Sequence, residues 1–311
     1  MLSVLLAFSA CTTATDTAQP ADTGDTADTA EDTTPVWDQL RIESSSTING
    51  IYASGSGVYA VGTGGFAWNG SGGDWSFMDI DVDGADITDL WGQGKDDDAV
   101  LAASTEGGTV AQYSGTGGWA TGTMGDTSAL KGVGGSDASS LFAVGWGRAW
   151  SYDGGAWVYE AIPETGNKLN DVYGAGEKAF AVGDDGASLI RQGGAWSKEE
   201  TGVDVGLHAV DGSGPSDVWA VGESGTVLHN TGEGWKLEED IPTTETLWAV
   251  FVPEEGVVYA VGSNGVAIRK TDGEWKRLYS GVDNILYAVH GATATNVWAS
   301  GNRGMVLQFK E

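Results

Sequence analysis

The sequence predicts an all-β fold, a seven-bladed β-propeller, on three observations: a block that recurs about every 40 residues, a tryptophan that follows it at a fixed place, and glycine turns between. The block is aromatic-Ala-Val-Gly. It stands as Tyr59-Ala60-Val61-Gly62, Phe142-Ala143-Val144-Gly145, Phe180-Ala181-Val182-Gly183, Trp219-Ala220-Val221-Gly222 and Tyr259-Ala260-Val261-Gly262, with two degenerate copies at Leu101-Ala102-Ala103-Ser104 and Trp298-Ala299-Ser300-Gly301. Its last residue falls at 62, 104, 145, 183, 222, 262 and 301, so the spacings are 42, 41, 38, 39, 40 and 39.

Each period reads as four short strands. An apolar strand precedes the block, as in Ile48 to Tyr52, Leu169 to Tyr173, Leu207 to Val210, Leu247 to Phe251 and Leu286 to Val289. The block is the second strand, and a turn ending in glycine follows it: Asp184-Asp185-Gly186, Glu223-Ser224-Gly225, Ser263-Asn264-Gly265 and Asn302-Arg303-Gly304. Glycine supplies the positive φ that so tight a hairpin needs. A third strand then leads through a Gly-rich turn to a Trp that opens the fourth: Trp75, Trp119, Trp157, Trp196, Trp235 and Trp275.

The seventh tryptophan tests closure. The chain ends at Glu311, just after the third strand of the seventh copy, and the missing Trp is Trp37, at the start of the repeat region. The segment Trp37 to Ile42 is therefore predicted to pair with Met305 to Phe309, closing the ring and removing an exposed sheet edge. All seven tryptophans read as core between adjacent blades, in preference to a carbohydrate-stacking role.

Before the repeats the composition changes twice. Residues 1–11 form a short apolar run ending in Cys11, too short to span a bilayer and suited to a signal-peptide h-region. Residues 12–35 are almost wholly Thr, Ala, Asp, Gly and Pro, which cannot bury a core and read as a disordered spacer. The propeller then occupies 36–311. With 50 Gly, 14 Trp and a single Cys, the chain favours short strands and glycine turns, and it cannot hold an internal disulfide.

Phe8-Ser9-Ala10-Cys11 resembles a bacterial lipobox, which implies acylation of Cys11 and a place in the cell envelope, as an outer-membrane lipoprotein or outside the cell. The family usually has Leu where Phe8 stands and a basic segment before it. No Lys or Arg precedes Arg41 here, and a start upstream of Met1 would supply one.

Charge narrows the partners. Against 44 acidic residues stand 15 Lys and Arg, a formal charge of −29, so the surface repels phosphate backbones and nucleic acid is excluded as a partner. Ser151-Tyr152-Asp153-Gly154-Gly155-Ala156-Trp157 resembles a shortened Asp-box, and Thr271-Asp272-Gly273-Glu274-Trp275 and Asn230-Thr231-Gly232-Glu233-Gly234-Trp235 are weaker versions. Together with the block and its following turn, these resemble the repeat proteins related to the photosystem II stability and assembly factor, over Trp37 to Glu311. The resemblance implies the propeller fold and a protein client. That family binds its client through an arginine patch, whereas this chain carries only Arg41, Arg148, Arg191, Arg269, Arg277 and Arg303, and a photosynthetic role is not implied.

Three functions remain in play. The first is a monomeric, non-catalytic scaffold binding a protein or carbohydrate at the cell envelope, through divergent turns on one face of the ring: Glu106, Trp146, Arg148, Asp184, Asp185, Glu223, Asn264, Asn302 and Arg303. The second is a sialidase-like glycoside hydrolase, for which Leu40-Arg41-Ile42-Glu43 resembles the first arginine motif but lacks its proline. The third is a purely structural envelope lipoprotein. Asp79, Asp81 and Asp83 match the start of a calcium loop, but Leu90 holds its twelfth place, and the segment is read instead as a strand with Met78, Ile80 and Val82 inward. His208, His229 and His290 share no metal spacing and read as packing or surface residues; no cofactor is expected.

Overall fold

The computed structural model describes residues 37–55, 57–95, 98–115, 117–124, 128–164 and 168–310. Cys11, the signal-like run and the 12–35 spacer lie outside them. The described residues form seven four-stranded antiparallel sheets, six of them running in chain order from an innermost to an outermost strand and the seventh taking the chain's first strand as its outermost. The innermost strands of blades 1 to 7 are Ile48–Ser54, Ile87–Gln93, Gly132–Asp137, Leu169–Ala175, Leu207–Gly214, Leu247–Glu254 and Leu286–Thr293.

Closure is as the sequence predicts. Trp37–Arg41 is the outermost strand of blade 7 and runs antiparallel to Met305–Phe309, with Trp37 opposite Phe309 and Arg41 opposite Met305. The two rings meet edge to face at 5.3 Å, and Trp37 is 3% exposed. The first strand in sequence thus completes the last sheet and covers the edge of Met305–Phe309.

The tryptophans of the outermost strands pack toward the preceding blade. Trp196 meets Phe142 edge to face at 6.2 Å, Trp235 meets Phe180 at 6.4 Å and Trp275 meets Trp219 at 6.0 Å. The expectation that all seven are core needs one correction: Trp37, Trp196 and Trp235 are buried, but Trp75, Trp119, Trp157 and Trp275 are partly exposed. The outermost strand has no further strand beside it, so these indoles cover the outer end of the blade boundary and keep one side in solvent.

The turns after the blocks use two left-handed residues, not one. In Asp184–Gly186, Glu223–Gly225, Ser263–Gly265 and Asn302–Gly304 the middle residue has φ of 53°, 57°, 53° and 59°, and the glycine follows at 69°, 71°, 66° and 67°. The glycine is fixed by space as well as by conformation: a Cβ at Gly225 would lie 2.3 Å from the Thr243 carbonyl oxygen.

A second correction concerns Asp79 to Gly84. The strand stops at Met78. The Val82 amide then bonds back to the Ile80 carbonyl and the Ala85 amide to that of Val82, with Asp83 and Gly84 at φ 51° and 72°. The backbone must bend here to reach blade 2, although Ile80 and Val82 still face inward and the three aspartates face solvent.

Candidate functional site

Seven innermost strands enclose a cavity of about 680 Å³ on the ring axis. Aligned on their first aliphatic residue (Ile48, Ile87, Leu130, Leu169, Leu207, Leu247, Leu286), the strands show what each successive place does.

The second place is the mouth of the cavity. It holds Asn49, Thr88, Lys131 and Asn170 in blades 1 to 4, then His208, Trp248 and Tyr287 in blades 5 to 7, and all seven line the cavity. In six blades this residue is the extra one of a β-bulge, between Ile48 and Gly50, Ile87 and Asp89, Leu169 and Asp171, Leu207 and Ala209, Leu247 and Ala249, and Leu286 and Ala288. A bulge breaks the two-residue alternation and re-aims a side chain, here toward the axis.

The two halves of the mouth differ in chemistry. In blades 1, 2 and 4 the side chain donates to the first carbonyl of the next innermost segment: Asn49 Nδ2 to Ile87 O at 2.7 Å, Thr88 Oγ1 to Leu130 O at 3.2 Å, Asn170 Nδ2 to Leu207 O at 2.9 Å. Lys131 reaches back to Glu106 at 2.9 Å. In blades 5 to 7 rings replace these bonds. His208 stacks on Trp248 with centroids 4.2 Å apart and planes 24° inclined, and Trp248 meets Tyr287 at 5.7 Å. The indole N–H donates to Ser263 Oγ at 3.0 Å, which fixes the ring's orientation. The result is an aromatic wall over three consecutive blades facing a polar wall over four.

Deeper in the cavity, carboxylates tie one blade to the next. Asp89 accepts from the amides of Leu90 at 2.7 Å and of Val133, in blade 3, at 2.9 Å. Asp171 accepts from Val172 at 2.7 Å and from Val210, in blade 5, at 2.8 Å. Asp211 accepts from Val252, in blade 6, at 2.8 Å. Burial raises Asp89 to about 6 and Asp211 to about 7, and raises Asp171 well above its ordinary value, the charge of Asp89 adding to burial at that site. The amide bonds oppose the shift but do not cancel it.

His290 plays the same part between blades 7 and 1. Burial lowers it to about 4, so it is neutral, and its Nδ1 accepts the Ala53 amide at 3.2 Å between the rings of Tyr52 and Phe251. Burial also lowers His208, whose Nε2 is buried and has no hydrogen-bond partner among the described residues. His229 belongs elsewhere: it stacks on Trp219 at 3.8 Å and bonds Asp217. All three histidines pack against aromatic rings, as the sequence reading expects, and His208 and His290 in addition line the cavity. Among the described residues no three His, Cys, Asp or Glu side chains gather to hold a metal ion.

Of the turn residues singled out in the sequence, Glu106 and Asp184 line the cavity. Asp184 accepts from Asn170 at 3.0 Å. Trp146 is exposed at the end of the blade 3 block, under the ammonium of Lys168, a cavity-lining residue, at 4.4 Å. Glu223 stands close enough to act electrostatically on His208. Asn302 is held by Asn284 at 2.7 Å, and Asp185, Asn264 and Arg303 are exposed at the tips of their turns. Arg148, Asp185, Asn264, Asn302 and Arg303 are not among the lining residues, and neither is Arg41, which is exposed on the outermost strand of blade 7. The Asp153 carboxylate accepts the amides of Gly155 at 3.1 Å and Ala156 at 3.3 Å, a turn-forming role.

Fold and site define a seven-bladed β-propeller with a two-sided cavity mouth. No protein-family model matches the chain. Over 72 residues the chain is 35% identical to the immune protein Tsi7 of Pseudomonas aeruginosa, a match that spans 23% of this chain and 23% of that relative. Among solved structures it is similar to YCF48 bound to a D1 peptide, with a TM-score of 0.71 and 14% identity over 89% of this chain and 98% of that one. Streptogramin B lyase superposes with a TM-score of 0.74 and 14% identity, over 88% and 96%. YCF48 from Cyanidioschyzon merolae gives 0.69 and 15%, over 88% and 98%. At these identities the likeness shows the fold.

Proposed function

We propose that this chain is a non-catalytic binding module of the cell envelope, tethered through a lipid on Cys11 and receiving a protein partner at the cavity mouth. The observation that carries this reading is the second place of the innermost strands. The framework around it repeats in every blade while its side chains change from Asn, Thr and Lys to His, Trp and Tyr. A rigid frame presenting varied side chains around a concavity is the usual form of a recognition site. The solved YCF48 structure with a peptide bound supports a protein partner for a propeller of this form.

The cavity carboxylates favour binding over catalysis. Asp89 and Asp171 each accept two main-chain amides, one from each side of a blade boundary, so they serve to hold the ring. The glycosidase reading built on Arg41 draws no support from its place away from the cavity. A carbohydrate partner remains the second reading, on the strength of the aromatic wall.

A cross-linked pull-down from intact cells tests the proposal. Wild type is expected to retain a specific envelope protein that Trp248→Leu loses; equal recovery by both would refute the mouth as the binding surface. Labelling with a clickable fatty acid, compared with Cys11→Ser, tests the tether.

A further inference from the structure

We infer that the mouth takes the basic side chains of its protein partner, an Arg- or Lys-bearing segment seated against Trp248 and Tyr287 and neutralised by the rim carboxylates of the facing polar wall. The inference rests on the binding reading above and names the chemistry of the partner.

Charge complementarity carries it. The lining carries Asp86, Glu106 and Asp184 at the rim, while Asp89, Asp171 and Asp211 below them are tied to main-chain amides and raised by burial, so that they add little negative charge. The two lysines of the lining are both occupied, Lys131 by Glu106 at 2.9 Å and Lys168 over the Trp146 ring at 4.4 Å. Burial lowers both cavity histidines, His290 to about 4, and so favours their uncharged forms. An incoming cation therefore meets an excess of acid within a chain whose formal charge is −29.

The aromatic wall supplies the second half of such a site. Guanidinium and ammonium groups are attracted to the faces of Trp and Tyr rings, and more strongly where water is thinned by a concave surface. Trp248 and Tyr287 are both half-buried in the cavity wall, and Trp248 cannot swing away because its N–H is tied to Ser263. A neutral sugar would use the rings but gain nothing from the carboxylates, and an acidic segment would be repelled by them.

The test uses the full chain and three probes at about 0.15 M salt: a fluorescent Arg/Lys-rich decapeptide, the same peptide with Glu in place of each basic residue, and a neutral oligosaccharide. Trp248→Leu and Asp184→Asn are the mouth variants; the second removes charge without touching the packing of the wall. Glu177→Gln/Glu255→Gln removes two exposed acids from the hairpins between first and second strands, at the opposite end of the ring. The basic peptide should bind wild type, weaken about tenfold in each mouth variant and stay within about twofold in the control. Equal loss in mouth and control variants would overturn the inference, leaving only diffuse surface charge. Binding of the Glu peptide, or of the oligosaccharide in its place, would overturn it too. If the basic peptide fails while the intact-cell pull-down still depends on Trp248, the inference falls and the binding reading stands; if that dependence is also absent, both fall.

Discussion

Asp171 of blade 4 and Val210 of blade 5 are joined across the blade boundary by a 2.8 Å hydrogen bond from the valine amide to the carboxylate. The other carboxylate oxygen accepts Val172 of the same strand as Asp171. A carboxylate suits this place because it has acceptors on both sides. In Asp171→Asn the carboxamide turns an N–H₂ toward one of the two amides and leaves that donor unmet. The expected loss is about 1 to 3 kcal/mol in urea unfolding. An unchanged midpoint would show that the boundary does not depend on this bond.

Stability should carry the signature of the buried carboxylates. Asp89 and Asp211 rise from 3.8 to about 6 and about 7 on folding, so the folded protein holds those protons more tightly than the unfolded chain. Their contribution is complete below about pH 3.8 and is lost as pH rises through 6 to 7. The difference in thermal midpoint between wild type and Asp211→Asn should therefore move against wild type from pH 4 to pH 8. Measuring the difference cancels the effect of the other carboxylates, among them Glu160, which hydrogen bonds from Arg191 hold below its ordinary value. A difference independent of pH would contradict the assignment.

The paired left-handed residues of the turns predict opposite effects at adjacent positions. Ser224 has φ 57° and ψ 30°, which costs a residue with a Cβ, so Ser224→Gly should be neutral or stabilising by up to about 1 kcal/mol, the extra freedom of unfolded glycine taking part of the gain. At Gly225→Ala the new methyl meets the Thr243 carbonyl, and a loss of about 2 kcal/mol or more is expected. Denaturant midpoints for the two variants decide it.

Ring closure places a large share of stability on the first strand. Trp37→Ala should lower unfolding free energy by about 3 to 5 kcal/mol, the usual range for a buried indole. Deleting residues 37–41 should in addition free the Met305–Phe309 edge and drive self-association in light scattering. A deletion variant that stays monomeric and equally stable would contradict closure by this strand.

The frame was legible in the sequence because it repeats. The block, its turn and the following tryptophan each occupy one place in every blade, and the absence of a seventh trailing tryptophan points to Trp37 as the closing element. The mouth was harder to read for the opposite reason, since its residues change around the ring and only Asn recurs, at 49 and 170. Two-residue alternation also assigns the second place of the innermost strand to the wrong face, because the bulge after Leu207, Leu247 and Leu286 shifts the register by one. Aligning the seven strands on that first aliphatic residue would have gathered His208, Trp248 and Tyr287. The latches were hidden as well: Asp89 and Asp171 stand one pair of places from Asp211 along the strand, so no single column of the repeat contains them all.

The most direct measurement for the account as a whole is photo-crosslinking in intact cells, with a benzophenone amino acid placed at Tyr287 on the aromatic wall or at Glu255 on the opposite face. A discrete adduct to one protein from position 287 and none from position 255 is the predicted result. Adducts from position 255 with none from 287 would place the partner on the other face and contradict it.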